Sequence, residues 1–160
     1  MLNKQAPSAV HTTFSIERVY DAPPAMVFAA FADQAAKASW FHGPEEWEGD
    51  GYALDFRVGG REKSRGGPKG GPVHAYDGLY YDIIENERIV LAYEMHLDGE
   101  RISVSLATIE LKPSGKGTKL TFTEQGAFLD GFDNVADREH GMGEILDQLG
   151  RALKRQTATA

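Results

Sequence analysis

The chain has no cysteine. That absence removes disulfides, thiolate nucleophiles and cysteine-ligated zinc from consideration, and it suits a reducing compartment. Long apolar runs are missing too. No stretch approaches the roughly 18–20 residues of a membrane span, and the opening MLNKQAPSAVHTTF lacks the apolar core of a signal peptide. Basic residues are in deficit: 17 Lys and Arg face 24 Asp and Glu, for a net charge of −7. Such a field repels nucleic acid and anionic membranes. The expectation is a soluble, cytoplasmic protein with no nucleic-acid partner and no membrane partner.

Familiar chemical motifs are absent as well. The stretch SRGGPKGGP, residues 64–72, has the composition of a phosphate loop but not its order. A P-loop needs its lysine after the second glycine, then Ser or Thr, then a helix. Here Lys69 precedes Gly70, and Pro72 leads into strand-like residues. A hairpin tip, its turn set by glycine and proline, is the better reading. The five histidines, His11, His42, His74, His96 and His140, form neither H-x-x-x-H nor H-E-x-x-H, so no metal site and no cofactor is expected. His74 and His96 are a pair that strand register could bring together. No serine sits in G-x-S-x-G, which removes the nucleophile elbow.

What is present is hydrophobic pattern. A chain of 160 residues points to one domain. Residues 1–11 are polar and unpatterned and read as a flexible N-terminus. TTFSIERVY alternates as a strand. DAPPAMVFAAFAD then starts a helix, with Asp21 as a candidate cap and proline in the first turn; a second short helix follows over residues 33–38. Tyr52, Leu54, Phe56 and Val58 share one strand face, and the Gly59–Gly60 pair marks a bend. Strand patterning resumes over residues 73–85, 88–97, 102–112 and 118–125, with short turn signals between.

The period then changes. Met142, Ile145, Leu146, Leu149 and Leu153 recur at helical spacing, with early acids and late bases that suit the helix dipole. A helix over residues 133–155 would be roughly 35 Å long. Gly141, Gly143 and Gly150 are costly inside it and are expected where the helix packs closely or bends. Residues 156–160 read as a flexible C-terminus.

Two pairs resemble acid–base or anchoring units. Glu94 and His96 share a strand face, but the opposite face carries Ile89, Leu91, Tyr93, Met95 and Leu97 and should turn inward. Asp55 and Arg57 read as a surface ion pair beside the bend. No catalytic residue is assigned. The candidates for a ligand cavity are aromatic and apolar: Phe28, Trp40, Phe41, Trp47, Tyr52, Phe56, Tyr93, Met95, Phe122, Phe128, Met142, Ile145 and Leu149.

The segments RVYDAPPAMVFAAFAD, WFHGP, DFRVGGRE, DGLYYDIIENERIVLAYEM, GTKLTFTEQGAF and GMGEILDQLGRAL occur in this order. The chain resembles the family of activator of heat-shock protein 90 ATPase homologues, in the START-like, polyketide cyclase-like (SRPBCC) superfamily. D-x-R-x-G-G, residues 55–60, with the downstream Gly78 and Gly117-Thr118, is fairly specific to the family, and the individual strands are not. The resemblance implies an α+β helix-grip fold over residues 12–155, a curved antiparallel sheet around a long C-terminal helix, with two short helices after the first strand. It implies a hydrophobic cavity between sheet and helix and no cofactor. Where the family commonly opens its last helix with Gly-Trp, this chain has Gly141-Met142. The leading expectation is a binding protein for a small apolar or aromatic molecule. The alternatives are a chaperone-interacting domain and a cavity enzyme of cyclase or hydrolase type, for which Tyr52, Tyr93 and His140 are the polar groups to inspect. If the protein self-associates, a homodimer is the first assembly to test.

Overall fold

A computed structural model describes residues 6–159. β1 (Ala9–Tyr20) is followed by α1 (Pro24–Ala32) and α2 (Gln34–Ala38). Six strands come next: β2 (Glu48–Leu54), β3 (Arg61–Gly67), β4 (His74–Ile84), β5 (Arg88–Leu97), β6 (Glu100–Ser114) and β7 (Gly117–Leu129). The chain closes with α3 (Val135–Thr159). All seven strands form one curved antiparallel sheet in the order β1-β7-β6-β5-β4-β3-β2. β2 to β7 are thus a meander, and β1 returns to pair with the last strand.

The turns follow from local chemistry. Asp98 and Gly99 both have positive φ (49° and 83°) between β5 and β6, as a two-residue hairpin loop of the Asp-Gly kind demands. Pro24 opens α1 with Pro23 as its N-cap, and no side chain caps it; the cap expected from Asp21 is not made. Proline removes one of the donors that a cap would have to satisfy. Asp33 caps α2, its carboxylate accepting from Ala36 N at 2.9 Å.

One face of the sheet packs on α3. Leu146, Leu149 and Leu153 are buried there with Phe14, Ile16, Leu120 and Phe122. Two glycines of α3 let β1 come close. A Cβ on Gly143 would lie 3.2 Å from the Arg18 guanidinium, and one on Gly150 3.3 Å from the Tyr20 ring. The contact is tied by Tyr20 donating to Leu146 O at 2.7 Å and by Arg18 to Asp147 at 2.8 Å.

Several boundaries differ from the sequence reading. β1 begins at Ala9, because Ala9–His11 pair with Ala127–Leu129. α3 runs to Thr159, about 37 Å in all. The strand read through Val58 ends at Leu54, and residues 55–60 turn on themselves, Gly60 N donating to Arg57 O at 2.7 Å. Gly59 N and Gly60 O then pair with Tyr80 (2.9 and 3.1 Å); the motif ends in two glycines because Gly59 has a φ of 85° and a Cβ on Gly60 would collide with Asp55 O. Half of SRGGPKGGP is not a tip at all. Ser64–Gly67 lie in β3, and the turn proper is residues 68–73. No helix of the described residues is long and apolar enough to cross a membrane.

Candidate functional site

A cavity of about 820 Å³ lies between α3, α2 and the inner face of β2 to β7, partly open to solvent. The sheet alternation puts Leu91, Tyr93, Met95 and Leu97 at its wall, while Glu94 and His96 face away. Of the residues expected at a cavity, Trp40, Phe41, Trp47 and Tyr52 line it from the α2–β2 segment. Tyr93, Met95 and Phe122 line it from the sheet, and Met142 and Ile145 from α3. Four do not reach it. Phe28 and Phe56 pack edge to face with each other at 5.6 Å, and Phe56 packs on Tyr80. Phe128 lies under the Arg138 guanidinium, and Leu149 is wholly buried in the core.

Polar groups missed by the sequence reading hold this wall in place. Lys37 and Glu62 form an ion pair of 2.7 Å, with side chains 4% and 0% exposed. The Glu62 carboxylate also accepts from the Tyr80 hydroxyl at 2.8 Å and from the Tyr52 hydroxyl. The Lys37 ammonium rests over the Phe41 ring, 4.4 Å from its centroid. Burial lowers the Lys37 pKa, opposed by Glu62. Burial, with Glu62 beside them, raises the phenols of Tyr52 and Tyr80 far above their ordinary range.

A second network closes the other end. Glu124, fully buried, accepts from Tyr93 at 2.6 Å, Ser105 at 2.8 Å and Arg138 at 3.1 Å. Arg138 also donates to Ser103 at 2.8 Å and Asp133 at 2.6 Å. Its helix start is fixed by Asn134, whose side-chain oxygen accepts from Asp137 N at 2.9 Å. Burial acts to lower the Arg138 pKa, but Tyr93, Glu124 and Asp133 more than offset it, so the guanidinium is charged.

Between the two networks lies Tyr76, stacked on Tyr93 at 4.8 Å and edge-on to Phe41 at 5.1 Å. Its ring covers Gly78, whose missing Cβ would lie 3.3 Å from it. The signal for these residues was faint: Glu62 and Glu124 sit at inward positions of alternating strands, where a charge needs a buried partner. Tyr76-x-Gly78-x-Tyr80 places an aromatic over a glycine on one face.

The remaining expectations resolve individually. His140 stands in solvent beside Glu144, so Tyr52 and Tyr93 are the inspected polar groups that reach the cavity. His74 pairs with Leu97 and His96 with Ala75; the two imidazoles are therefore on opposite faces and do not meet. His74 instead lines the cavity against Trp47, ring centroids 4.5 Å apart. Asp55 and Arg57 form an exposed pair at 2.9 Å. Ser64, Arg65 and Gly66 of the glycine-rich stretch line the cavity, whereas the turn residues 68–72 do not, which leaves that turn a plain connection. No cluster of metal-binding side chains occurs among the described residues.

Solved structures resemble this one closely. An uncharacterised protein of Rhizobium leguminosarum superposes with a TM-score of 0.90 at 44% identity, covering 94% of this chain and 99% of its own. A protein of Rhizobium loti gives 0.84 at 45% identity, covering 91% and 99%. One from Chromobacterium violaceum gives 0.74 at 29%, covering 88% and 96%. No curated protein is similar enough in sequence to count as a match. The pattern of the family described as Activator of Hsp90 ATPase homolog 1-like protein matches residues 21–154, and with that match, the sheet gripping α3 and the D-x-R-x-G-G turn in place, the chain belongs to that family.

Proposed function

We propose that the protein binds a small molecule with an aromatic or apolar body in the cavity beneath α3. The observation that carries this is a cavity of about 820 Å³ flanked by two buried ion-pair networks. Small-molecule sites typically span about 300–1,000 Å³ and combine apolar walls with a few fixed polar groups. Filling the space with side chains would be the simpler core. Here Lys37, Glu62, Glu124 and Arg138 brace the wall instead, and a wall already in its bound shape costs little to order.

The test is native mass spectrometry of the protein purified from its host, with the wild type beside Ala107→Phe. Ala107 lines the cavity from β6 and is 2% exposed, so a larger ring there intrudes on the ligand's space. A small molecule retained by the wild type and absent from the folded variant is the expected result. Equal retention in both would place the ligand elsewhere and end this reading.

A further inference from the structure

Three tyrosines line the cavity, Tyr52, Tyr76 and Tyr93, with Tyr80 buried beside them, and three of these four hydroxyls are committed. Tyr52 and Tyr80 donate to Glu62, and Tyr93 donates to Glu124. The Tyr76 hydroxyl makes no hydrogen bond to any described residue, although Tyr76 lines the cavity. Its ring is fixed by Tyr93, Phe41 and the bare backbone of Gly78. The neighbouring carboxylate, Glu62, has no room for another donor. It already receives Lys37 on both oxygens, Tyr80 on one and Tyr52 on the other. The hydroxyl faces the open cavity with its donor uncommitted, and a ligand acceptor is positioned to take it.

Charge limits what that ligand is. The inner cations of the wall are neutralised within the protein, Lys37 by Glu62 and Arg138 by Glu124 and Asp133. The exposed lining residues Glu45, Glu48, Asp137 and Glu144 are acidic, against a single exposed cation, Arg65. A carboxylate ligand would meet no free inner cation and would pass an acidic rim. Burial and the nearby Glu62 hold the Tyr76 phenol well above its ordinary range, so it remains a donor and does not attract a cation.

Resting on the cavity reading above, we propose that the ligand is an uncharged aromatic molecule whose carbonyl oxygen accepts the Tyr76 O–H. Tyr76 is then the residue that selects carbonyl over hydrocarbon, while the acidic rim and the neutralised inner cations disfavour a carboxylate.

Four naphthyl probes of equal girth test this on the purified protein: naphthalene, methyl naphthyl ketone, naphthoate and naphthylmethylammonium. Trp40 and Trp47 both line the cavity and are the chain's two tryptophans, so their fluorescence reports occupancy. The ketone is expected to bind several-fold to about tenfold more tightly than naphthalene, the size of one net hydrogen bond, and more tightly than either charged probe. Tyr76→Phe should bring the ketone to the naphthalene level and leave naphthalene unchanged. Infrared spectroscopy of the wild-type complex gives a second readout needing no variant. The bound carbonyl band should fall below its position in hydrocarbon solvent. Equal binding of ketone and naphthalene, an unshifted carbonyl band, or tighter binding of a charged probe overturns the role of Tyr76 while leaving the cavity reading intact. Failure of all four to bind overturns both.

Discussion

Lys37 Nζ lies 2.7 Å from Glu62 Oε2, and the two side chains are 4% and 0% exposed. This is an ion pair sealed into the wall of a cavity, between a helix of five residues and a strand. Desolvating two charges is costly, and the pair is sustained because Tyr52 and Tyr80 complete the carboxylate's hydrogen bonds.

The two partners of that pair are expected to be strongly coupled. Lys37→Met strands a buried carboxylate and should cost about 3–5 kcal/mol, read as a lower midpoint in urea. The double variant with Glu62→Leu should recover part of that loss, since an apolar pair of similar volume removes the unpaired charge. Additive losses in the double-mutant cycle would show that the pair is not a unit.

Arg138 plays the same part at the other end of the wall. Arg138→Gln leaves Glu124 without its cation and should destabilise by about 3–5 kcal/mol. Arg57→Gln removes a pair that is exposed on both sides and should cost about 0–1 kcal/mol. Comparable losses for the two would contradict the importance assigned to burial.

The D-x-R-x-G-G turn makes a geometric prediction. A Cβ on Gly60 would run into the Asp55 and Arg57 carbonyl oxygens, which are backbone atoms and have little room to move. Gly60→Ala should cost at least about 1–3 kcal/mol, as overpacking does. Val58→Ala, at an exposed neighbouring position, should change stability by less than about 0.5 kcal/mol. Thermal unfolding of the two variants separates them.

Tyrosine ionisation gives a pH test. Burial raises the phenol pKa of Tyr20, Tyr52, Tyr76, Tyr80 and Tyr93 above the ordinary value of 10.0. A folded-state pKa above the unfolded one means that the folded chain holds more protons in alkali. Its contribution to stability is complete below about pH 10 and is lost as pH rises further. Tyrosinate absorbance for these five should therefore appear together with unfolding measured by circular dichroism. Gradual titration of all five in a chain that remains folded would contradict the burial.

Much of the fold was legible in the sequence, and the reason is periodicity. Ile89, Leu91 and Tyr93 alternate and are buried as alternation requires, and Leu146, Leu149 and Leu153 form the stripe that the sheet grips. The element ends were less legible because backbone pairing decided them. Ala9–His11 look like a loose terminus yet pair with β7, and Ser64–Gly67 look like a turn yet pair on both sides. The apolar half of the cavity wall could be read from residue type. The polar half could not, since Lys37 and Arg138 on helices look like solvated surface, and Glu62 and Glu124 on strands look the same. Only the pairing of α2 with β3 and of α3 with β7 brings each to its partner.

The cavity itself is tested most directly by titrating methyl naphthyl ketone into the wild type and Ala107→Phe while following the fluorescence of Trp40 and Trp47. A saturable change at one ligand per chain in the wild type, lost in the folded variant, is the predicted result. The same change in both proteins, or none in either, would contradict a ligand site beneath α3.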